Sequence, residues 1–281
     1  MKELDTHAKN TWCPGCGNFA ILNAIKSTIA SLTEEGVPVE NVVMVSGIGC
    51  HAKIVDYVNV NSFYSLHGRV FPPATGIKLA NPSLKVIGHA GDGDAYGEGL
   101  EHLIFAAKRN VDITAIIHNN RVYGLTTGQY TPTSPLGFKG RSTPQGTKEL
   151  PINPLELMLA SGATFIGRGT SHGLELLKKI FREAILHKGF SIVDVLQVCV
   201  TYYNMYEYYD KRVYELKDHD PKDFDKALTK IREWDYNNDS PIPLGLFYKK
   251  EADVFGDSKE PKKKAIVDRM AVIKRRLEEN L

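Results

Sequence analysis

The chain has 281 residues, of which 42% are hydrophobic and 24% are charged, values typical of a globular protein with a substantial core. The formal net charge of +2 gives no support to a nucleic-acid-binding protein, and no apolar run approaches the roughly 20 residues of a membrane span. The opening residues, MKELDTHAKNTW, contain no apolar signal segment, so we expect a cytoplasmic protein without nucleic-acid or membrane partners. In that reducing compartment four cysteines are expected to be metal ligands or reactive groups rather than disulfides.

Helices and strands are predicted to alternate along the chain. Apolar residues at helical spacing predict a helix over 18–35, which Gly36 ends. The elements that follow are predicted strands at 42–45, 63–66, 84–89, 113–117, 164–167 and 191–196, and predicted helices at 75–79, 100–108, 154–160 and 173–187.

The predicted strands are apolar on both faces, which indicates an α/β fold with a doubly wound, mostly parallel sheet. Ligands bind such sheets beyond the carboxyl ends of the strands. Three polar clusters, at 47–50, 91–94 and 118–124, follow predicted strands and are therefore expected at that edge. The long segment 128–153 is rich in Pro, Gly, Thr and Ser, and a loop of this length is usually functional.

From about residue 216 the composition becomes charged. We therefore predict one domain over 1–215 and a C-terminal extension over 216–281, packed on that domain or on a partner subunit. Its last part is predicted to be an amphipathic helix, from apolar residues at helical spacing: Ile266, Met270, Ile273 and Leu277.

Gly91-Asp92-Gly93 follows a predicted strand and opens a helix, a place that suits phosphate and Mg²⁺. Alone the triplet is weak evidence for a phosphate or Mg²⁺ site, because Gly and Asp are common in turns. One helix and one strand later come Asn119 and Asn120. The ends of two neighbouring parallel strands lie side by side, so a carboxylate and an amide oxygen are expected to converge on one cation.

This pair of motifs resembles the signature of the thiamine-diphosphate-dependent enzymes. The resemblance implies that Asp92, the side chain of Asn120 and the backbone carbonyl of Val122 ligate Mg²⁺. It also implies that the N–H groups of Gly93 and Asp94 hold the diphosphate.

Cys13 and Cys16 form a CxxC in TWCPGCGN, and Cys50 and Cys199 follow the first and last main strands. A thioredoxin-like dithiol is disfavoured, because no strand is predicted before the motif and Pro14 directly follows the first cysteine. A structural zinc site and a [4Fe–4S] cluster both remain open on spacing alone.

The order of motifs, WCPGCGN, SGIGC, HGR, ATGIKLAN, GDGD and NNRVYGLTTGQ, with a cysteine after the last strand, resembles the β subunit of the 2-oxoacid:ferredoxin oxidoreductases. The match is nearly collinear from about residue 10 to 215, and PIPLGLFYKKE at 241–251 resembles that family's tail. It implies that the four cysteines hold one [4Fe–4S] cluster beside thiamine diphosphate. The remaining cofactor contacts that it implies are Ile48, Gly49, Cys50, His51, His67, Gly91, Gly124 and Leu125.

The resemblance also implies an activity. A 2-oxoacid, pyruvate or 2-oxoglutarate, is oxidatively decarboxylated with coenzyme A to acyl-CoA and CO₂, and electrons pass from thiamine diphosphate through the cluster to ferredoxin. Lys53 is a candidate for attracting the substrate carboxylate or tuning the cluster, and Leu125 for bending the cofactor. A solvated surface lysine and, for His51, a polar turn residue are the simpler interpretations. Thr127, Glu101 and Tyr202 depart from the family pattern and are expected to affect substrate choice.

The chain has room for one diphosphate-binding domain only. The glutamate that activates thiamine is therefore expected from the pyrimidine-binding domain of an α (or γ/α) subunit. The alternatives are a subunit of a non-oxidative thiamine decarboxylase with structural zinc, and a zinc-stabilised module without catalysis.

Overall fold

The structure is a computed structural model that describes residues 2–256 and 269–279. One eight-stranded sheet organises these residues, with the strand order β2-β1-β3-β4-β6-β5-β8-β7. The strands are β1 Val42–Ser46, β2 Asn61–Tyr64, β3 Lys85–Gly91, β4 Thr114–Asn119, β5 Phe165–Thr170, β6 Ser191–Leu196, β7 Val213–Glu215 and β8 Ile242–Lys249.

Eight α-helices lie in the described residues, with one π-helical turn at Gly93–Glu98. All helices and strands predicted up to residue 196 are present. The helix expected at 75–79 starts earlier, at Phe71, because Pro72 and Pro73 fit the first turn, where no intrahelical N–H bond is lost. The helices are α1 Asn18–Glu34, α2 Phe71–Ala80, α3 Leu100–Lys108, α4 Pro154–Ala160, α5 Leu174–Leu186, α6 Tyr206–Asp210, α7 Phe224–Arg232 and α8 Arg269–Glu278.

The sheet is buried on both faces, as the apolar strands predicted. Alternate residues of β1 enter different cores. Val43 and Val45 belong to the core that also contains residues of α2, α3, α4 and α7, whereas Val42 and Met44 belong to the core with residues of α1 and α5. The pairings from β2 to β5 are parallel, and β8 pairs antiparallel with β5. The prediction of a doubly wound, mostly parallel α/β sheet is confirmed.

The predicted boundary at residues 215 and 216 falls between two strands of this one sheet. Strand β8 pairs with β5 on one side and β7 on the other, so residues 242–249 belong to the sheet itself. Trp234 and Tyr236 are buried in a third core with β8. Helix α8 lies where the amphipathic helix is predicted, although Ile266 falls outside the described residues. No helix in the described parts of the chain is long and apolar enough to cross a membrane.

The sheet register brings the polar strand ends together. Gly91 in β3 is the partner of His118 in β4, so Asp92 leaves the sheet beside Asn119. Asn119 in turn pairs with Leu196 at the end of β6. The carboxyl ends of β1, β3, β4 and β6 therefore form one edge, which carries the site.

Candidate active site

A cavity at this edge, here called the Asp92 cavity, contains every residue predicted to contact thiamine diphosphate or Mg²⁺. Its walls come from the turns after β1, β3 and β4, and from the segment between β2 and α2. The predicted residues that line it are Ile48, Gly49, Cys50, His51, His67, Gly91, Asp92, Gly93, Asp94, Asn120, Val122, Gly124 and Leu125. His118, Tyr123 and Thr126 also line this cavity, although they were not predicted to contact the cofactor.

Asp92 is a buried carboxyl group, 2% exposed. Burial raises its pKa to about 6, although hydrogen bonds from Thr131 and Thr133 oppose the shift. An ionised carboxylate in such a place is stabilised by a cation. Asn120 and Val122 line the same cavity, and a carboxylate, an amide oxygen and a backbone carbonyl together are a donor set that fits Mg²⁺.

The two glycines beside Asp92 are required by close neighbours. A Cβ on Gly93 would lie 2.2 Å from Cε1 of the Tyr123 ring, and a Cβ on Gly91 would lie 2.8 Å from Nδ1 of His51. Both side chains lean directly on the backbone of the GDG turn. The triplet is therefore needed for packing as well as for room beside a phosphate.

Asp94 anchors the far side of the cavity. Its Oδ1 accepts the Gly68 N–H at 2.5 Å and lies 3.1 Å from His67 Nδ1, while Oδ2 lies 3.1 Å from His51 Nε2. Burial alone would raise the pKa of this carboxyl, but the bonds from His51, His67 and Gly68 hold it well below its usual value. His51 is thus a structural partner of Asp94 rather than a free turn residue.

The four cysteines line a second cavity of about 200 Å³, here called the cysteine cavity. A Cβ built on Gly124 would lie 3.6 Å from Cys199 Sγ and 3.7 Å from Cys50 Sγ, so these two thiols flank one point. All four are free thiols. Burial raises the pKa of Cys16 to about 11, and the three other thiols add to that shift.

Three hydrogen bonds to backbone carbonyl groups, here called the backbone clamps, hold the CxxC loop against the sheet. Trp12 donates its indole N–H to the Cys50 carbonyl at 2.6 Å, and Gly17 N–H donates to the Val198 carbonyl at 3.1 Å. Tyr206 in α6 donates to the Gly15 carbonyl at 2.7 Å. Between residue 2 and the loop the chain forms a 3₁₀ turn and no strand, so the fold lacks the strand that a thioredoxin-like dithiol requires.

The two cavities adjoin. Cys50, Asn120, Gly124 and Leu125 line both, and the side chain of Leu125 is about half exposed between them. Lys53 lines only the cysteine cavity and donates to Thr11 Oγ1 at 2.8 Å. Tyr202, a departure from the family pattern, also lines the cysteine cavity.

Sequence reasoning missed a buried network behind Asp92. Thr133 Oγ1 lies 2.8 Å from Asp92 Oδ2 and 3.0 Å from Asn119 Oδ1, and Asn119 donates to Asp194 at 3.0 Å. Tyr236 donates to the other oxygen of Asp194 at 2.5 Å. The long loop that contains Thr133 was expected to be functional, but its length and composition did not identify the residue.

Arg121 connects the same parts through the backbone. It is buried, has a positive φ of 61°, and donates through Nε to the Thr133 carbonyl at 2.8 Å. Its guanidinium also bonds the carbonyl of Tyr236. Asn120 and Val122 are therefore held between the long loop and the C-terminal part of the chain.

The sequence is similar to known protein families. Residues 47–195 match the thiamine pyrophosphate enzyme C-terminal TPP binding domain, and residues 199–264 match the C-terminal part of the pyruvate ferredoxin oxidoreductase β subunit. The chain is 46% identical to a 2-oxoacid:ferredoxin oxidoreductase subunit beta of Saccharolobus solfataricus, over 86% of this chain and 82% of the relative. It is 44% identical to 2-oxoacid:ferredoxin oxidoreductase 1, subunit beta, of Aeropyrum pernix, over 86% and 79%.

A solved structure is also similar. It is a 2-oxoglutarate:ferredoxin oxidoreductase from Magnetococcus marinus with 2-oxoglutarate, coenzyme A and succinyl-CoA bound. The TM-score is 0.86 at 32% identity, over 99% of this chain and 90% of that one.

Proposed function

The chain belongs to the β subunits of the 2-oxoacid:ferredoxin oxidoreductases, and from that premise we propose which cofactor each of its two cavities binds. The Asp92 cavity holds the diphosphate of thiamine diphosphate with Mg²⁺, and the cysteine cavity holds one [4Fe–4S] cluster. The enzyme takes a 2-oxoacid and coenzyme A to acyl-CoA and CO₂ and passes electrons to ferredoxin. The observation that carries the proposal is that the two cavities share a wall, formed by Cys50, Asn120, Gly124 and Leu125.

For Mg²⁺ we propose the ligands Asp92, Asn120 Oδ1 and the Val122 carbonyl. The support is a buried carboxyl group, whose pKa is raised by burial, in a cavity that Asn120 and Val122 also line. Thr133 and Asn119 position that carboxylate from behind. The N–H groups of Gly93 and Asp94, at the first turn of the π-helical segment, are the proposed diphosphate donors.

For the cluster we propose the ligands Cys13, Cys16, Cys50 and Cys199. Burial and the neighbouring thiols raise the pKa of Cys16 and of Cys50, and a positively charged polynuclear centre would favour their thiolate forms. Four thiolates also suit a single zinc ion, so the metal content of the protein distinguishes the two alternatives.

When bound, thiamine diphosphate would supply an electron sink for the loss of CO₂, and the cluster would supply a one-electron acceptor. The residues of this chain position these groups. Asp94, held by His51 and His67, fixes the turn after β3, and Leu125 covers the junction of the two cavities with an apolar side chain.

We further propose that the pyrimidine-binding domain of an α (or γ/α) subunit completes the site and supplies an activating glutamate. No described residue that lines the Asp92 cavity is a glutamate. Ile48 and Leu125 at the cavity are 40% and 48% exposed, and Phe63 on the edge strand β2 is 48% exposed. Exposed apolar groups beside a cavity are typical of a surface that is covered by a second protein chain.

Metal analysis tests the proposal against the zinc alternatives. The α/β complex, purified anaerobically, is expected to be brown and to hold about four irons per β chain. A colourless preparation with zinc in place of iron would overturn the electron-transfer function. Assays of CoA-dependent ferredoxin reduction with pyruvate and with 2-oxoglutarate then identify the 2-oxoacid.

A further inference from the structure

Two side-chain amides in the wall of the cysteine cavity have no role in the ligand sets proposed above. Asn18 and Gln197 both line this cavity, and each is 1% exposed. Gln197 Nε2 lies 3.6 Å from Cys16 Sγ and also donates to the Val198 carbonyl at 2.6 Å. One amide donor therefore already points at a cysteine sulfur.

Asn18 is oriented by a histidine pair. Its Oδ1 lies 2.8 Å from His118 Nδ1, and because a carbonyl oxygen only accepts, His118 donates through Nδ1. The Nε2 atom of His118 then accepts from His89 Nδ1 at 3.0 Å. With Oδ1 occupied, the NH₂ group of Asn18 is buried and has no partner among the described residues.

The start of α1 adds a third donor at the same place. Asn18 is the first residue of that helix, and its backbone N–H lowers the pKa of the Cys16 thiol, against the effect of burial. The described residues that line the cavity include no Asp or Glu, and Lys53 is their one basic side chain. Amide N–H dipoles are thus the main polar groups that face the sulfurs from β6 and α1.

We propose that the side chains of Asn18 and Gln197 donate N–H···S hydrogen bonds to the cluster and raise its reduction potential. Reduction adds negative charge to the sulfurs, so a donor fixed in a low-dielectric wall stabilises the reduced state more than the oxidised state. His118 and His89 act as positioning residues for Asn18. The inference rests on the proposed [4Fe–4S] cluster.

The test is the midpoint potential of the cluster in the α/β complex, measured by EPR during a redox titration. Asn18→Leu and Gln197→Leu each remove a donor at similar volume, and each is expected to lower the potential. A hydrogen bond to a charged group is worth about tenfold in an equilibrium constant, which is about 59 mV for one electron. The matched control is Thr28→Val, a buried α1 residue whose hydroxyl bonds the Ala24 carbonyl, and its potential is expected to equal that of the wild type.

The outcomes separate this inference from the proposed function. Wild-type protein without iron overturns the function, whereas unchanged potentials in both variants with iron retained overturn the role of the amides alone. If a variant loses its cluster, the proposal is tested instead on the wild type, with ¹⁵N-labelled Asn and Gln side-chain amides. Hyperfine coupling of these nitrogens to the reduced cluster is expected, and its absence would contradict the proposal.

Discussion

The two adjoining cavities are built in different ways. Asp92 is held by a buried network of side-chain bonds from the long loop, β4 and β6, and Asp94 is held by His51, which follows β1, and by His67. The cysteines are held by backbone clamps, in which Trp12 and Tyr206 bond carbonyl groups of the loops. Loss of a side chain behind Asp92 is therefore expected to act on one cavity, whereas loosening a clamp acts on the other, although the cavities share a wall.

Asp92→Ala is expected to have the largest effect on one cavity without changing the other. The variant loses the proposed carboxylate ligand of Mg²⁺, so thiamine diphosphate binding measured by titration calorimetry is expected to fall below detection. Iron content is expected to remain at the wild-type value, because no cysteine contact changes. Asp225→Asn, an exposed carboxyl in α7, is the control. Unchanged thiamine diphosphate affinity in Asp92→Ala would show that the Mg²⁺ ligands are assigned wrongly.

Thr133→Val tests the network behind Asp92. Residues that orient a metal ligand typically change metal affinity 10–100-fold, so we expect a loss of about that size in Mg²⁺-dependent thiamine diphosphate binding. Thr133→Ser keeps the hydroxyl and is expected to recover most of the affinity. Equal affinities in the Val and Ser variants would mean that the 2.8 Å bond to Asp92 does not matter.

The raised pKa of Asp92 predicts a pH dependence. The carboxyl binds a proton below about pH 6, and a metal ligand must be deprotonated, so affinity for Mg²⁺ with thiamine diphosphate is expected to fall about tenfold per pH unit below that value. Above pH 6 the contribution of Asp92 is constant. Thr133→Val removes a bond that favours the ionised form and should move the midpoint upward. This difference between variants is independent of the titration of the diphosphate, and identical midpoints would count against it.

Gly93→Ala tests the contact between the GDG turn and Tyr123. The new Cβ would lie 2.2 Å from the ring, and overpacking of this kind costs about 1–3 kcal/mol. The thermal unfolding midpoint is expected to fall. Gly76→Ala is the matched control, because this α2 residue has no atom within 4 Å of its added Cβ, and the change is expected to raise stability by about 0.5–1 kcal/mol. Equal shifts in both variants would contradict the packing argument.

The smallest effect is expected from Trp12→Phe, which keeps the aromatic contacts with Phe19 and Tyr57 but loses the bond to the Cys50 carbonyl. A bond worth about 1 kcal/mol predicts roughly fivefold faster iron release to a chelator, with thiamine diphosphate affinity unchanged. Trp234→Phe is the control, since its indole bonds Tyr208, away from the cysteines. Iron release at the wild-type rate in Trp12→Phe would show that this clamp does not retain the cluster.

The sequence predicts contacts between residues that are close along the chain better than contacts between distant segments. Asp92 and Asn120 are separated by one βα unit, so chain order and the parallel sheet suffice to bring them together. Thr133, Asp194 and Tyr236 come from a loop, a strand and the C-terminal part, and their meeting depends on tertiary packing that no local pattern encodes. The same reason explains why the antiparallel entry of β8 beside β5 was not predicted.

The cysteine cavity could be predicted from the sequence only in part. Strand ends at one edge of a parallel sheet account for Cys50 and Cys199, and the polar residues before Trp12 account for the absence of a thioredoxin-like strand. The indole bond from Trp12 and the amides of Asn18 and Gln197 emerged only from the folded structure, because both Trp and Asn in these positions also fit ordinary core or helix-start roles.

Direct transfer of electrons from the Asp92 cavity to the cysteine cavity is the core of the proposed function. It is tested by freeze-quench EPR of the α/β complex mixed with thiamine diphosphate, Mg²⁺, coenzyme A and the active 2-oxoacid, in the absence of ferredoxin. We predict that a reduced [4Fe–4S] signal appears in the wild type and is absent in Asp92→Ala, which retains its iron. Release of CO₂ and acyl-CoA in the wild type without any reduction of the cluster would contradict it.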